Sequence, residues 1–171
     1  MNRRKVFLYS LMAAVILVMI AVVFVIKNDS STAEFIGKYQ LQESTFDPLT
    51  VYIFESVTLA AQPAYQISRN PVILELQNDS DFEYLYGFGY DLQIAYKEKW
   101  YVVPLHDAYL FPLAGLRLFS DTSVETVVDL DNHIEVIPGK YRIVKSLTEY
   151  PDGLFGEKSR DGYISAIITL E

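Results

Sequence analysis

Val6 to Ile26 is a run of 21 residues without a charge, broken only by Tyr9 and Ser10 among apolar side chains. A single segment placed in hydrocarbon must satisfy its own backbone N–H and C=O groups, which requires a helix. At 1.5 Å per residue a helix of that length spans about 30 Å, the thickness of a bilayer's hydrocarbon core. The run predicts one transmembrane helix over residues 6–26, within a signal anchor over residues 1–27. A secretory leader has a shorter apolar region of about 7–15 residues with a small-residue cleavage site close behind it. Ser31-Thr32-Ala33 has that composition but stands well beyond Ile26, so retention is favoured over cleavage. Arg3, Arg4 and Lys5 precede the span and only Lys27 follows it. The positive-inside bias then places the N-terminus in the cytoplasm and all later residues outside it, as a single-pass protein of the cell membrane.

Charge restricts what the remainder can bind. All 22 acidic residues lie beyond Asn28 against ten of the basic ones, a net charge of −12 for residues 28–171. Such a domain repels phosphate backbones, so nucleic acid is not an expected partner. The chain has no cysteine, which excludes disulfides, thiol catalysis and thiolate metal sites. A secreted eukaryotic domain of this size commonly carries a disulfide, so a bacterial setting is favoured.

Asn28-Asp-Ser-Ser-Thr32 reads as a polar tether, giving a linker over 28–33 and a domain over 34–171. Within that domain helical periodicity is not sustained, whereas alternation with period two recurs. Val72, Leu74 and Leu76 alternate with Ile73, Glu75 and Gln77; Tyr90, Leu92, Ile94 and Tyr96 alternate with Asp91, Gln93 and Ala95. Val124, Thr126, Val128 and Leu130 form a third row, and Ile164, Ala166, Ile168 and Leu170 a fourth. Ile36–Gln42 and Val51–Leu59 are earlier strand candidates, rich in β-branched and aromatic residues. Asn78-Asp-Ser-Asp81, Lys97-Glu-Lys99, Pro138-Gly139, Pro151-Asp-Gly153 and Asp161-Gly162 supply turn chemistry between the runs. Short punctuated strands without crossover helices predict an all-β fold, an antiparallel two-sheet sandwich. Trp100, after the Lys97–Lys99 turn, is the expected large core residue, and Tyr141, after Pro138-Gly139, the expected buried-hydroxyl corner.

Three segments within residues 72–147 resemble a family of bacterial immunoglobulin-like domains found in surface and secreted proteins, chiefly of Gram-positive bacteria. They are Leu74-Glu-Leu-Gln-Asn-Asp-Ser80, the stretch from Tyr84-Leu-Tyr-Gly87 through Tyr90-Asp-Leu92 to Lys99-Trp-Tyr-Val-Val103, and Ile137-Pro-Gly-Lys-Tyr-Arg-Ile-Val-Lys145. Where the family often has a Pro-Gly turn before its sixth strand, this chain has Leu116-Arg-Leu-Phe-Ser-Asp-Thr122. The resemblance implies an extracytoplasmic immunoglobulin-like antiparallel β-sandwich. It implies no shared activity or ligand.

Catalytic constellations are thin. His106 and His133 are the two histidines, and His106 beside Asp107 would face the opposite way on an extended strand, with no Gly-x-Ser-x-Gly elbow in the chain. Zinc needs three or four convergent ligands, and two histidines 27 residues apart with Asp107 and Asp131 nearby are a thin basis for them. Asp129-Leu-Asp131-Asn132 and Asn78-Asp-Ser-Asp81 are rich in oxygen but lack the calcium-loop pattern, and aspartates that cap turns account for both. Glu83 with Glu98, or Asp152 with Glu157, would need the opposed geometry of glycosidase carboxylates, which spacing alone does not supply. No metal, cofactor or catalytic residue is therefore assigned.

Aromatic content is the remaining feature. Phe82-Glu-Tyr-Leu-Tyr-Gly-Phe-Gly-Tyr90 holds five aromatics in nine residues. Core filling is the plainer reading; the functional one is an exposed platform of Tyr84, Tyr86, Phe88 and Tyr90, extended by Tyr101, Tyr109 and Phe111. The expected function is a membrane-anchored, non-enzymatic interaction module that binds an envelope protein or a cell-wall component. A small envelope hydrolase or metal-dependent enzyme and a purely structural spacer are the competing readings.

Overall fold

A computed structural model describes residues 3–46, 54–61, 71–107, 109–150 and 159–170, without the side chains of residues 3–11 and 21–28. The chain divides into two compact units, Met1–Tyr39 and Gln40–Glu171.

The first unit is one helix, α1 (Arg3–Tyr39). It contains the expected span 6–26, whose side chains are described only from Met12 to Ile20. Among the described residues no helix is long and apolar enough to cross a membrane. Two expectations are corrected here. The tether 28–33 and the start of the strand expected at Ile36–Gln42 are both helical, and the second unit begins at Gln40 rather than at residue 34. Extending an existing helix costs far less than nucleating one, so Ala33, Glu34 and Lys38 carry the turn forward despite the polar run before them. Phe35 and Tyr39 meet at i,i+4, ring centroids 5.3 Å apart, and Lys38 lies in the last turn, where the helix dipole favours a cation. Gln40 ends the helix in the left-handed conformation, φ 50°.

The second unit is a sandwich of two antiparallel sheets. β1 (Val57–Ala61), β2 (Val72–Asn78) and β7 (Thr122–Val128) form the first, in the order β1-β2-β7. The second holds β3 (Glu83–Tyr86), β4 (Asp91–Tyr96), β5 (Lys99–Val102), β6 (Leu116–Leu118), β8 (Gly139–Tyr150) and β9 (Asp161–Leu170). Its order is β5-β4-β8-β3-β6, with β9 also on β8. The alternating rows are the inner faces: Val72, Leu74 and Leu76 of β2 are fully buried, as are Leu92 and Ile94 of β4. Fully burying side chains of this size contributes about 1.5–3 kcal/mol each. The expected strand Val51–Leu59 forms from Val57 on, residues 51–53 lying outside the described residues, as does the Pro151-Asp-Gly153 turn. Asp161-Gly162, expected as a turn, instead opens β9: Asp161 pairs with Thr148, whose hydroxyl donates to its carboxylate at 2.7 Å.

Register shows that two strands of the second sheet are each broken in the middle. Ile143 of β8 pairs with Leu92 and Ala166, and Leu147 with Tyr86 and Gly162, so β3 and β4 share the edge of β8 opposite β9. They are collinear halves of one strand, separated by Gly87–Tyr90. By the same logic Tyr101 on Ile94 and Leu116 on Tyr86 make β5 and β6 collinear halves of the next strand. Residues 103–115 leave the sheet between them, at the same height as Gly87–Tyr90.

The corner expected at Tyr141 is present. Its buried hydroxyl donates to the Ile137 carbonyl at 2.8 Å and accepts from the Ile137 N–H at 3.1 Å. The turn at Asn78 is held by that side chain, which donates to the carbonyls of Phe82 and Phe119 and accepts from Ser80. The Lys97–Glu98 turn has φ of 46° and 65°, the two positive values of a type I′ hairpin, matching the right-handed twist of β4 and β5.

Trp100 is not a core residue. It pairs with Ala95, which puts it on the outer face of the sheet, half-buried, with the Arg142 guanidinium 4.5 Å from its ring centroid. Gln93, expected on a solvated row, is buried; its Oε1 accepts from Arg142 Nε at 3.0 Å. One segment explains both. Residues 42–44 add to the free edge of β5, with Ser44 N–H donating to the Trp100 carbonyl at 2.7 Å. Phe46 then turns over the outer face, its ring 4.7 Å from the Arg142 guanidinium and 5.6 Å from the Tyr163 ring.

Candidate functional site

The two interruptions in the second sheet bring together what the chain offers for recognition. Four residues, 87–90, stand opposite only Lys145 and Ser146 of β8, because Tyr86 pairs with Leu147 and Asp91 with Val144. The surplus residues bulge, and their carbonyls lose ladder partners. Lys145 replaces them: its side chain, 1% exposed, donates to Gly87 O at 3.0 Å and Gly89 O at 3.2 Å. Burial pushes the Lys145 ammonium down to about 8.

Loop 103–115 packs on this bulge. Val103 N–H donates to Leu92 O, His106 N–H to Asn132 O and Tyr109 N–H to His106 O, each within 2.9 Å. Phe111 anchors the tip, its ring 5.0 Å from Tyr90 and 5.3 Å from Tyr109, against the backbone of Gly89. Held this way, Leu110 is 86% exposed and Leu113 fully so, and Phe88 adds a ring 44% exposed. Beside them, on the outer face, a groove of about 260 Å³ is lined by Gly89, Tyr90, Asp91, Phe111, Val144, Ser146 and Tyr163. Drug-sized sites run about 300–1,000 Å³, so this groove has the size for one side chain or head group. Desolvation at its wall raises the Asp91 carboxyl above its ordinary value, although the residue as a whole is exposed.

Of the expected platform, Tyr84, Tyr86 and Tyr90 are buried and only Phe88 is exposed. Tyr84 packs edge-on against Phe54 at 4.7 Å, and Tyr90 donates to Asp129 O at 3.0 Å. The bulge breaks the phase of the row, so Tyr84 and Tyr86 face the core while Phe88 turns outward. Burial raises the Tyr86 hydroxyl above its ordinary value and the Tyr90 hydroxyl well above it, reinforced at Tyr90 by the neighbouring Tyr109 and Asp129. Phe111, named as an extension, is a central wall of the groove; Leu110 and Leu113 went unrecognised. Their signal is Tyr109-Leu-Phe-Pro-Leu-Ala-Gly115, an uncharged run that neither alternates nor fits a strand around its proline.

The histidines separate by environment. His106 and Asp107 are exposed, whereas His133 is 3% exposed and its Nδ1 faces the carbonyls of Val103 and Pro104 at 3.0 and 3.2 Å. Facing two acceptors, Nδ1 carries the proton, which leaves Nε2 as a lone pair with no partner among the described residues. Burial lowers the His133 pKa. Asp129 accepts from Asp131 N–H at 3.0 Å, capping the short 3₁₀ turn Leu130–Asn132. Among the described residues no group of three acidic, histidine or cysteine side chains could hold a metal ion. Ser146 and Asp91 share the groove, and no histidine or lysine is among the described residues that line it.

A family model described as a bacterial Ig-like domain matches residues 55–158, more than half of the chain and all of the stretch that carries the resemblance. No curated protein and no solved structure matches the chain.

Proposed function

The chain belongs to the bacterial Ig-like domain family, and from that membership we propose that it is a non-enzymatic docking module, anchored in the cytoplasmic membrane and working on its outer side. Loop 103–115 carries the contact. A loop that exposes Leu110 and Leu113, on the same edge of the sheet as the exposed Phe88, presents apolar surface of the kind that marks a protein-binding patch. The partner on this reading is another protein of the envelope.

The anchor rests on the uncharged run Val6–Ile26 with Arg3, Arg4 and Lys5 before it. A helix that is apolar on every side needs apolar surroundings on every side. Cell fractionation with N-terminal sequencing of the mature protein tests this. Membrane-bound protein retaining residues 6–26 is expected; a soluble species beginning at Glu34 would refute it.

The docking surface is tested by crosslinking the full-length protein in its native envelope, unmodified and as the double variant Leu110→Glu, Leu113→Glu. Discrete adducts that disappear in the variant are expected. An unchanged adduct pattern means that the loop is not the contact, and favours a spacer.

A further inference from the structure

Two arginines on the outer face of the second sheet stack on rings. Arg142 lies between Trp100 and Phe46, its guanidinium 4.5 and 4.7 Å from their ring centroids. Arg117 lies 4.7 Å from the Tyr150 ring centroid and pairs with the Glu83 carboxylate. The groove beside loop 103–115 has the same wall chemistry, with Phe111 and Tyr163 as aromatic walls, Asp91 as a carboxylate and Ser146 as a hydroxyl. Register places Asp91, Val144, Ser146 and Tyr163 on one outer patch, because Asp91 pairs with Val144 and Ser146 with Tyr163. No cationic side chain is among the described residues that line it.

Resting on the reading of this edge as a docking surface, we propose that the groove receives the guanidinium of an arginine side chain from the docking partner. Asp91 supplies the countercharge, and Phe111 and Tyr163 supply faces for the planar group. Leu110, Leu113 and Phe88 contact the residues flanking that arginine. Two observations select this occupant. The volume of about 260 Å³ suits a single long side chain, and the net charge of −12 over residues 28–171 attracts a basic partner. A planar guanidinium both stacks on rings and pairs with a carboxylate, which an ammonium does less well.

The test uses the full-length protein in detergent micelles and three blocked pentapeptides, with arginine, lysine or norleucine between glycines. Amide NMR shifts are followed during titration. The arginine peptide should shift Asp91, Ser146 and Tyr163 saturably and bind about tenfold more tightly than the lysine peptide, and the norleucine peptide should not bind. Asp91→Asn should weaken arginine binding about tenfold with an unchanged melting temperature, and Phe111→Leu should weaken it while keeping the apolar bulk. Equal binding of norleucine, equal binding of lysine, or an affinity untouched by Asp91→Asn would overturn the assignment. If the arginine peptide binds and the native adducts survive the Leu110 and Leu113 changes, the groove stands and the docking loop falls. If those adducts are lost and the arginine peptide does not bind, the docking loop stands and the groove falls.

Discussion

The ammonium of Lys145 lies 3.2 Å from the carbonyl oxygen of Gly89, inside the sandwich and away from solvent. Together with its bond to the Gly87 carbonyl it closes a gap where four residues of one strand face two of the next. The bulge positions Phe88 and the Gly89 wall of the groove, so this buried cation supports a surface it does not itself reach. Lys145→Met keeps the apolar stem and orphans both carbonyls. A loss of about 1–3 kcal/mol is expected, read from denaturant unfolding of the full-length protein. Amide shifts confined to residues 87–90 and 103–115 should accompany it. An unchanged midpoint would show that water serves these carbonyls as well.

Tyr141→Phe removes a hydroxyl that both donates to and accepts from Ile137. Both bonds go to that one residue's backbone, so the cost isolates the corner. Destabilisation of about 1–3 kcal/mol is expected. A variant that unfolds at the same denaturant concentration would make the corner decorative.

Trp100→Ala tests the outer face. A fully buried tryptophan costs about 3–5 kcal/mol on truncation, but this one is half-buried and stacks on Arg142. The expected cost is about 1–2 kcal/mol, with Trp100→Phe recovering part of it. A loss in the range for a core residue would return Trp100 to the interior.

His133 sets a pH dependence. Burial lowers its pKa below the ordinary 6.5, so the folded protein keeps the ring neutral where the unfolded chain takes up a proton. The unfolded state then binds more protons, and stability falls as pH drops through 6.5. Unfolding midpoints should decline between about pH 7 and about pH 5.5, and His133→Asn should flatten that slope. A slope that persists in the variant assigns it to other groups.

Alternation and turn residues are local properties, and the sequence alone determined what depends on them. The inner rows of β2, β4, β7 and β9, the Tyr141 corner and the Lys97–Glu98 hairpin were all legible, because a side chain's face follows from its parity along an extended strand. Parity cannot say whether the second face is covered. Gln93 and Arg142 are buried because Phe46, 47 residues before Gln93, turns over them. Tyr84, Tyr86 and Phe88 share a parity, yet a count of four residues against two splits them between core and surface, and that count exists only once β8 is paired. Lys145 reads as a surface lysine until that pairing leaves two carbonyls beside it. Residues 28–39 read as tether and strand until the preceding helix extends through them. For Gln93 and Arg142, for the tyrosine row and for Lys145 the deciding partner lies beyond the window in which periodicity is read, so only the tertiary structure supplied it.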